Sequence, residues 1–276
     1  MKLRIIPYSF LALLFLVVPL TSAPLSDDPA KRIFHYVCKP YYIDYVLQKQ
    51  DIRHFEFEIR LTYGTHQDAA LFESVETGWV ADNLKAALKE MKHLTGVKKG
   101  YLFVPESCGG CNAWRGQVEN VYKIHGGMPR KIGRLACRND HEPGSSLGKD
   151  GFWDYFDGLE INAYTCHAAS PGFAVALNDS QDHLTLDVER TWIMNQGVLK
   201  GYLDGIRRND LRDDRKEELK SEYLGAMALA KLCGKELVWK STLDIGKKAF
   251  GNSLAVDMSN AASKSVESYL TRYSKP

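Results

Sequence analysis

The sequence has no surplus of charge of either sign. Its 36 lysines and arginines nearly balance 34 aspartates and glutamates, leaving a formal charge of +2. Losing Lys2 and Arg4 with an export signal would bring that to 0. A neutral chain offers no electrostatic argument for binding nucleic acid or an acidic membrane surface. Also missing are a glycine-rich phosphate loop, a basic–aromatic stripe, an internal repeat and a second Cys-x-x-Cys. Beyond Leu20 no run is long and apolar enough to span a bilayer. Cysteine is scarce, at six residues.

What is present suits a globular protein. At 276 residues, 45% hydrophobic and 25% charged, the chain can bury a full core in one large or two small domains. The start reads as an export signal: Lys2 and Arg4, an apolar stretch from Ile5 to Leu20, then Thr21, Ser22 and Ala23. Cleavage after Ala23 would leave Pro24 at the mature N-terminus, and an uncleaved anchor is the alternative. The expected location is the periplasm or the exterior of the cell.

All six cysteines (Cys38, Cys108, Cys111, Cys137, Cys166 and Cys233) follow the signal. An even number in an exported chain suggests disulfides, although six cysteines allow fifteen pairings.

Along the chain, His54 to Leu61 alternates polar and apolar residues, as a half-buried strand does. Val80, Leu84, Leu88 and Met91 recur at helical spacing before a stop at Gly96. Tyr101 to Val104 reads as a buried strand. After Cys108-Gly109-Gly110-Cys111, the residues Cys111, Trp114, Val118, Val121 and Tyr122 share one helical face, ending at Gly126-Gly127. Lys131 to Cys137, Phe173 to Leu177 and His183 to Val188 are strand candidates, the last two joined by a turn. Val198, Tyr202 and Ile206 mark a closing helix, and the charge run from Asp210 to Arg215 a boundary. The remainder reads as helical.

The order strand, Cys-x-x-Cys, helix, strand, then proline, strand, turn, strand and helix resembles the thioredoxin superfamily over about residues 97–207. The carrying segments are GYLFVPESCGGCNAWRGQVENVY and SPGFAVALNDSQDHLTLDVERTWIMNQGVLKGYLDGI. The resemblance implies an α/β fold with a central mixed sheet flanked by helices. It would occupy residues 78–207, with an insertion at about 138–164, an N-terminal extension at 24–77 and a C-terminal helical extension at 208–276. It also implies a cis proline at Pro171, with Ser170 pairing with substrate backbone. Cys108 at the first turn of a helix would be a thiolate nucleophile, because free N–H groups and the positive dipole end favour the anion. Cys111 would resolve the mixed disulfide.

The expected activity is therefore thiol–disulfide exchange on cysteine-containing protein substrates, with no metal or organic cofactor. Cys137 and Cys166 flank the insertion, and a bond between them would close that loop, worth about 3 kcal/mol; the alternative is that Cys166, just before Pro171, exchanges with the main pair. Cys38 and Cys233 are left to pair with each other. The sequence departs from the family at Gly109-Gly110, at Ser107 and at Leu102, where members carry a buried acid. The large flanking regions and the missing acid favour a second reading: a non-catalytic binding or assembly protein of a secretion or conjugation apparatus, or a secreted effector, on the same fold with a structural disulfide.

Other readings of the same residues are a zinc site completed by Cys137, Cys166 or His167, and a thiol-protease motif in SCGGCNAW. His125 reads as a helix-end or surface residue rather than a catalyst. Trp153, Tyr155 and Phe156 are core or cover a binding face.

Overall fold

The computed structural model describes residues 32–64, 70–107, 117–137, 144, 146–156, 164, 172–208 and 215–271. Alternation, clearest in β3, builds its first half. In β1 (Arg32–Cys38), β2 (Tyr41–Gln50), β3 (His54–Tyr63) and β4 (Ala70–Val80), consecutive strands pair antiparallel. Tyr41, Ile43, Tyr45 and Leu47 of β2 turn inward, as do Phe55, Phe57, Ile59 and Leu61 of β3 and Val75 and Trp79 of β4. Burying each such side chain contributes roughly 1.5–3 kcal/mol. The helix α1 (Leu84–Leu94) adds Ala87, Met91 and Leu94 to that core. It starts where the Asn83 side chain accepts the Ala86 N–H at 2.9 Å.

The chain then forms β5 (Gly96–Lys98), β6 (Tyr101–Ser107), β7 (Gln117–His125) and β8 (Met128–Cys137), again antiparallel in order. One parallel pairing, Gly78 with Ser107, joins this group to the first and makes one eight-stranded sheet. Both faces of the β6–β8 layer are covered. Leu102, Val104 and Tyr122 face the first core, whereas Phe103, Val121, Ile132 and Leu135 belong to a second. This explains the unbroken apolar run at residues 101–104.

The second core is closed by a three-stranded antiparallel sheet, β9 (Phe152–Phe156), β10 (Phe173–Ser180) and β11 (His183–Leu186), and by helices. These are α2 (Val188–Arg208), α3 (Lys216–Leu232), α4 (Glu236–Phe250) and α5 (Asn252–Thr271). Tyr223 to Ala230 of α3 are buried without a break, as befits a helix packed on by α2, α4 and α5.

The expected thioredoxin-like mixed sheet is overturned. The sheets are antiparallel apart from the one Gly78–Ser107 pairing, and most helices follow the strands instead of alternating with them. The decisive local difference is β7. Val118 and Tyr122 fit helical spacing, but Val118, Asn120, Tyr122 and Ile124 fit a period of two as well, and β-branched and aromatic residues favour the strand. Gly126 and Gly127, read as a helix stop, have φ of +56° and +89°. That is the backbone of a two-residue hairpin turn. Residue 78, taken as the start of the thioredoxin-like domain, lies inside β4, and the supposed insertion supplies β9.

Candidate functional site

The redox centre expected at Cys108 and Cys111 requires a helix that runs on through Val118 and Tyr122. From Gln117 to His125 that stretch is instead the strand β7, the antiparallel neighbour of β6, so the expected helix is not found among the described residues. Cys108, Cys111, Cys166, Ser170 and Pro171 lie outside the described residues, and Cys137 ends β8. The expected Cys38–Cys233 bond is absent, since both are free thiols. Burial raises the pKa of Cys38, and it pushes that of Cys233 up to about 11, with Lys235 opposing; neither is a thiolate at neutral pH. Among the described residues no three His, Cys, Asp or Glu side chains gather as a metal site. The oxidoreductase reading is therefore withdrawn, and the thioredoxin-fold binding reading goes with its fold and its structural disulfide.

A different constellation lies where the first strands meet β6–β8. Glu119 and Asn120 of β7 are both fully buried and, as strand neighbours, point to opposite faces. Glu119 is satisfied: it accepts the Ser146 hydroxyl at 3.0 Å and the Gly144 N–H at 3.4 Å. Asn120 faces the first core, and neither its amide nitrogen nor its amide oxygen has a hydrogen-bond partner among the described residues. Two residues on, the Tyr122 hydroxyl is likewise unpartnered. Burial is the main cause that raises the Tyr122 pKa, and the neighbouring carboxylates of Glu73 and then Glu106 add to it. The Thr77 hydroxyl, one residue before the Gly78–Ser107 pairing, is the third orphan. Each such group costs roughly 1–3 kcal/mol when left unpaired.

Two ion pairs border these residues. In the β7–β8 register Asn120 lies opposite Arg134 and Tyr122 opposite Lys131. Arg134 reaches Glu106 at 2.6 Å and Lys131 reaches Glu73 at 3.1 Å. The bases are half exposed and the acids about a quarter exposed or less, so each pair is worth about 0–1 kcal/mol. Together they make an electroneutral polar border to the buried groups. It was missed in the sequence because β7 was read as a helix; as a strand, its asparagine falls on an inward stripe with Val118, Tyr122 and Ile124, which is the signal that finds it.

A second charged cluster is structural. Lys123 holds Asp179 at 2.7 Å, Tyr101 donates to Asp179 at 2.8 Å, and His125 and Arg130 each meet Asp182 at 3.1 Å. It fastens the β10–β11 turn to the β7–β8 hairpin and shows His125 at a strand end. Hydrogen bonding from His125, then from Lys123, holds the Asp182 carboxyl below its ordinary value. A carboxyl depressed on folding stabilises above its unfolded pKa and loses that contribution as pH falls through the folded one. The difference in urea midpoint between the native protein and Asp182→Asn is therefore expected to shrink as pH falls from about 5 to about 3. A difference constant over that range would show that the carboxylate does not fasten the turn.

Of the aromatic trio, Phe156 is core, stacked on Phe173 at 4.8 Å, and Trp153 lies under the Arg190 guanidinium at 4.4 Å. Among the described residues no helix is long and apolar enough to cross a membrane. No protein-family model matches the chain, and comparisons with curated proteins and with solved structures return no significant match.

Proposed function

We propose that this is an exported binding protein that takes a small, electroneutral, amide-bearing ligand into the seam between β4 and β6–β8. The carrying observation is the Asn120 side chain, fully buried with neither its donor nor its acceptor used among the described residues. Buried polar groups are normally paired, and an orphaned set in one place calls for a missing partner. A secondary amide, such as a peptide bond or an N-acetyl group, presents one N–H and one C=O, the complement of the asparagine amide. The hydroxyls of Thr77 and Tyr122 supply further neutral contacts. Glu73 with Lys131 and Glu106 with Arg134 cancel in charge, so the seam does not select an ion.

Export is supported by the basic start, the apolar stretch from Ile5 to Leu20 and the small residues before Pro24. The charge balance supports a small-molecule partner over nucleic acid or a membrane surface. The test is a thermal-shift panel of N-acetylated amino-acid amides and N-acetylhexosamines, with glucose as the control without an amide. The expected result is stabilisation by at least one amide-bearing compound, absent with glucose and lost in Asn120→Leu. No shift from any member, or equal shifts in the variant, would overturn the assignment.

A further inference from the structure

Among the described residues the helix α2 is packed on one side only. Thr191, Asn195, Leu199 and Ile206 face inward, whereas Ile193 is 59% exposed and Met194 and Val198 are each 38% exposed. On the same outer surface lie Gly197 and Gly201, where an added Cβ would meet nothing within 4 Å. Glycine is a poor helix former, and packing within one chain requires neither of these. At about 1.5 Å per residue the helix is about 31 Å long, with the apolar residues and the hollow near its middle.

We infer that a second copy of this chain docks on this face, with the two α2 helices antiparallel and crossing near Gly197. The face is self-complementary. In an antiparallel crossing, Ile193 and Met194 of one copy lie over Gly201 of the other, and the two-fold axis repeats the contact. Charge selects this arrangement. The exposed Glu189 is in the first turn of α2, and the exposed Arg207 and Arg208 are in its last. Glu189 and Arg207 are 18 positions apart and fall on one flank of the helix, so an antiparallel pair sets Glu189 against the partner's Arg207 at both ends. A parallel pair would set Glu189 against Glu189 and Arg207 against Arg207. The helix dipoles favour the antiparallel arrangement too. Among the described residues Arg207 makes a 3.7 Å contact to Asp204 within its own helix, an exposed pair that is easily shared.

The experiment is sedimentation equilibrium of the full processed chain from about 1 to about 200 µM, a range that spans ordinary weak-to-moderate affinities. The expected result is a reversible monomer–dimer equilibrium. Gly201→Leu has room in the monomer, so it should keep or raise the melting temperature while weakening the dimer at least tenfold. Glu189→Arg should weaken it as well, and Glu189→Arg combined with Arg207→Glu and Arg208→Glu should restore it. A wild-type chain monomeric throughout, or a dimer indifferent to Gly201→Leu, would overturn the inference. This face is separate from the seam, so neither outcome bears on ligand binding there.

Discussion

Gly127→Ala is expected to destabilise the protein by roughly 3 kcal/mol, while Gly126→Ala, its neighbour in the same turn, should cost only about 1. Both glycines have positive φ, +56° at Gly126 and +89° at Gly127, so both substitutions carry the left-handed penalty of an L-residue, roughly 1–2 kcal/mol. Only Gly127 meets a second obstacle. A Cβ there would sit 2.2 Å from the Tyr63 hydroxyl oxygen, whereas one at Gly126 meets nothing within 4 Å. The Tyr63 ring cannot withdraw freely, because it is 5.6 Å from that of Tyr41, whose own hydroxyl donates to the Gly127 carbonyl at 3.1 Å. Displacing a packed aromatic typically adds 1–3 kcal/mol, giving the rough total above. Urea midpoints of the two variants measure the difference. Equal losses would mean that the hairpin tip does not bear on the β2–β3 aromatics.

Asn120→Leu is expected to act in the opposite direction, raising the stability of the ligand-free protein by about 1–2 kcal/mol. Leucine keeps the branched, four-atom shape of asparagine in a bulkier form, so overpacking offsets part of the gain, and it removes two buried polar atoms that have no partner among the described residues. It would meet apolar company: Val104 lies opposite in the β6–β7 register, and Leu102 and Tyr122 belong to the same core. A substitution that strengthens the fold and abolishes binding is the mark of a group retained for a ligand. Chemical denaturation checks the sign. A loss of more than about 1 kcal/mol would mean that the amide is already satisfied, as by a buried water, and that the seam is part of the scaffold.

Much of the secondary structure was legible from periodicity. HFEFEIRL fits only a period of two and is β3, and Leu84, Leu88 and Met91 fit only helical spacing and lie in α1. The strands expected at Phe173–Leu177 and His183–Val188 are β10 and β11, although the first runs on to Ser180 and the second stops at Leu186, and the closing helix is α2, with Ile206 inward but Val198 exposed. Misreading came where a segment satisfies both periods. VENVYKIH does so, and the glycine pair after it ends a helix or turns a hairpin equally well; only pairing with β6 and β8 decides. That single ambiguity carried the functional reading with it. A Cys-x-x-Cys at the first turn of a helix is a redox motif, and the helix expected through Val118 and Tyr122 is strand from Gln117 on. The seam was illegible because its residues come from β4, β6, β7 and β8 and meet only through tertiary packing.

The β6–β8 layer has a further consequence. Because Leu102 and Val104 look one way and Phe103 and Val121 the other, neither half of the molecule owns a complete wall. A truncated chain ending before α2 would leave the underside of β6–β8 wet and sticky, so it should aggregate instead of persisting as a small folded piece. Heating should show one transition, with strands and helices failing at the same temperature.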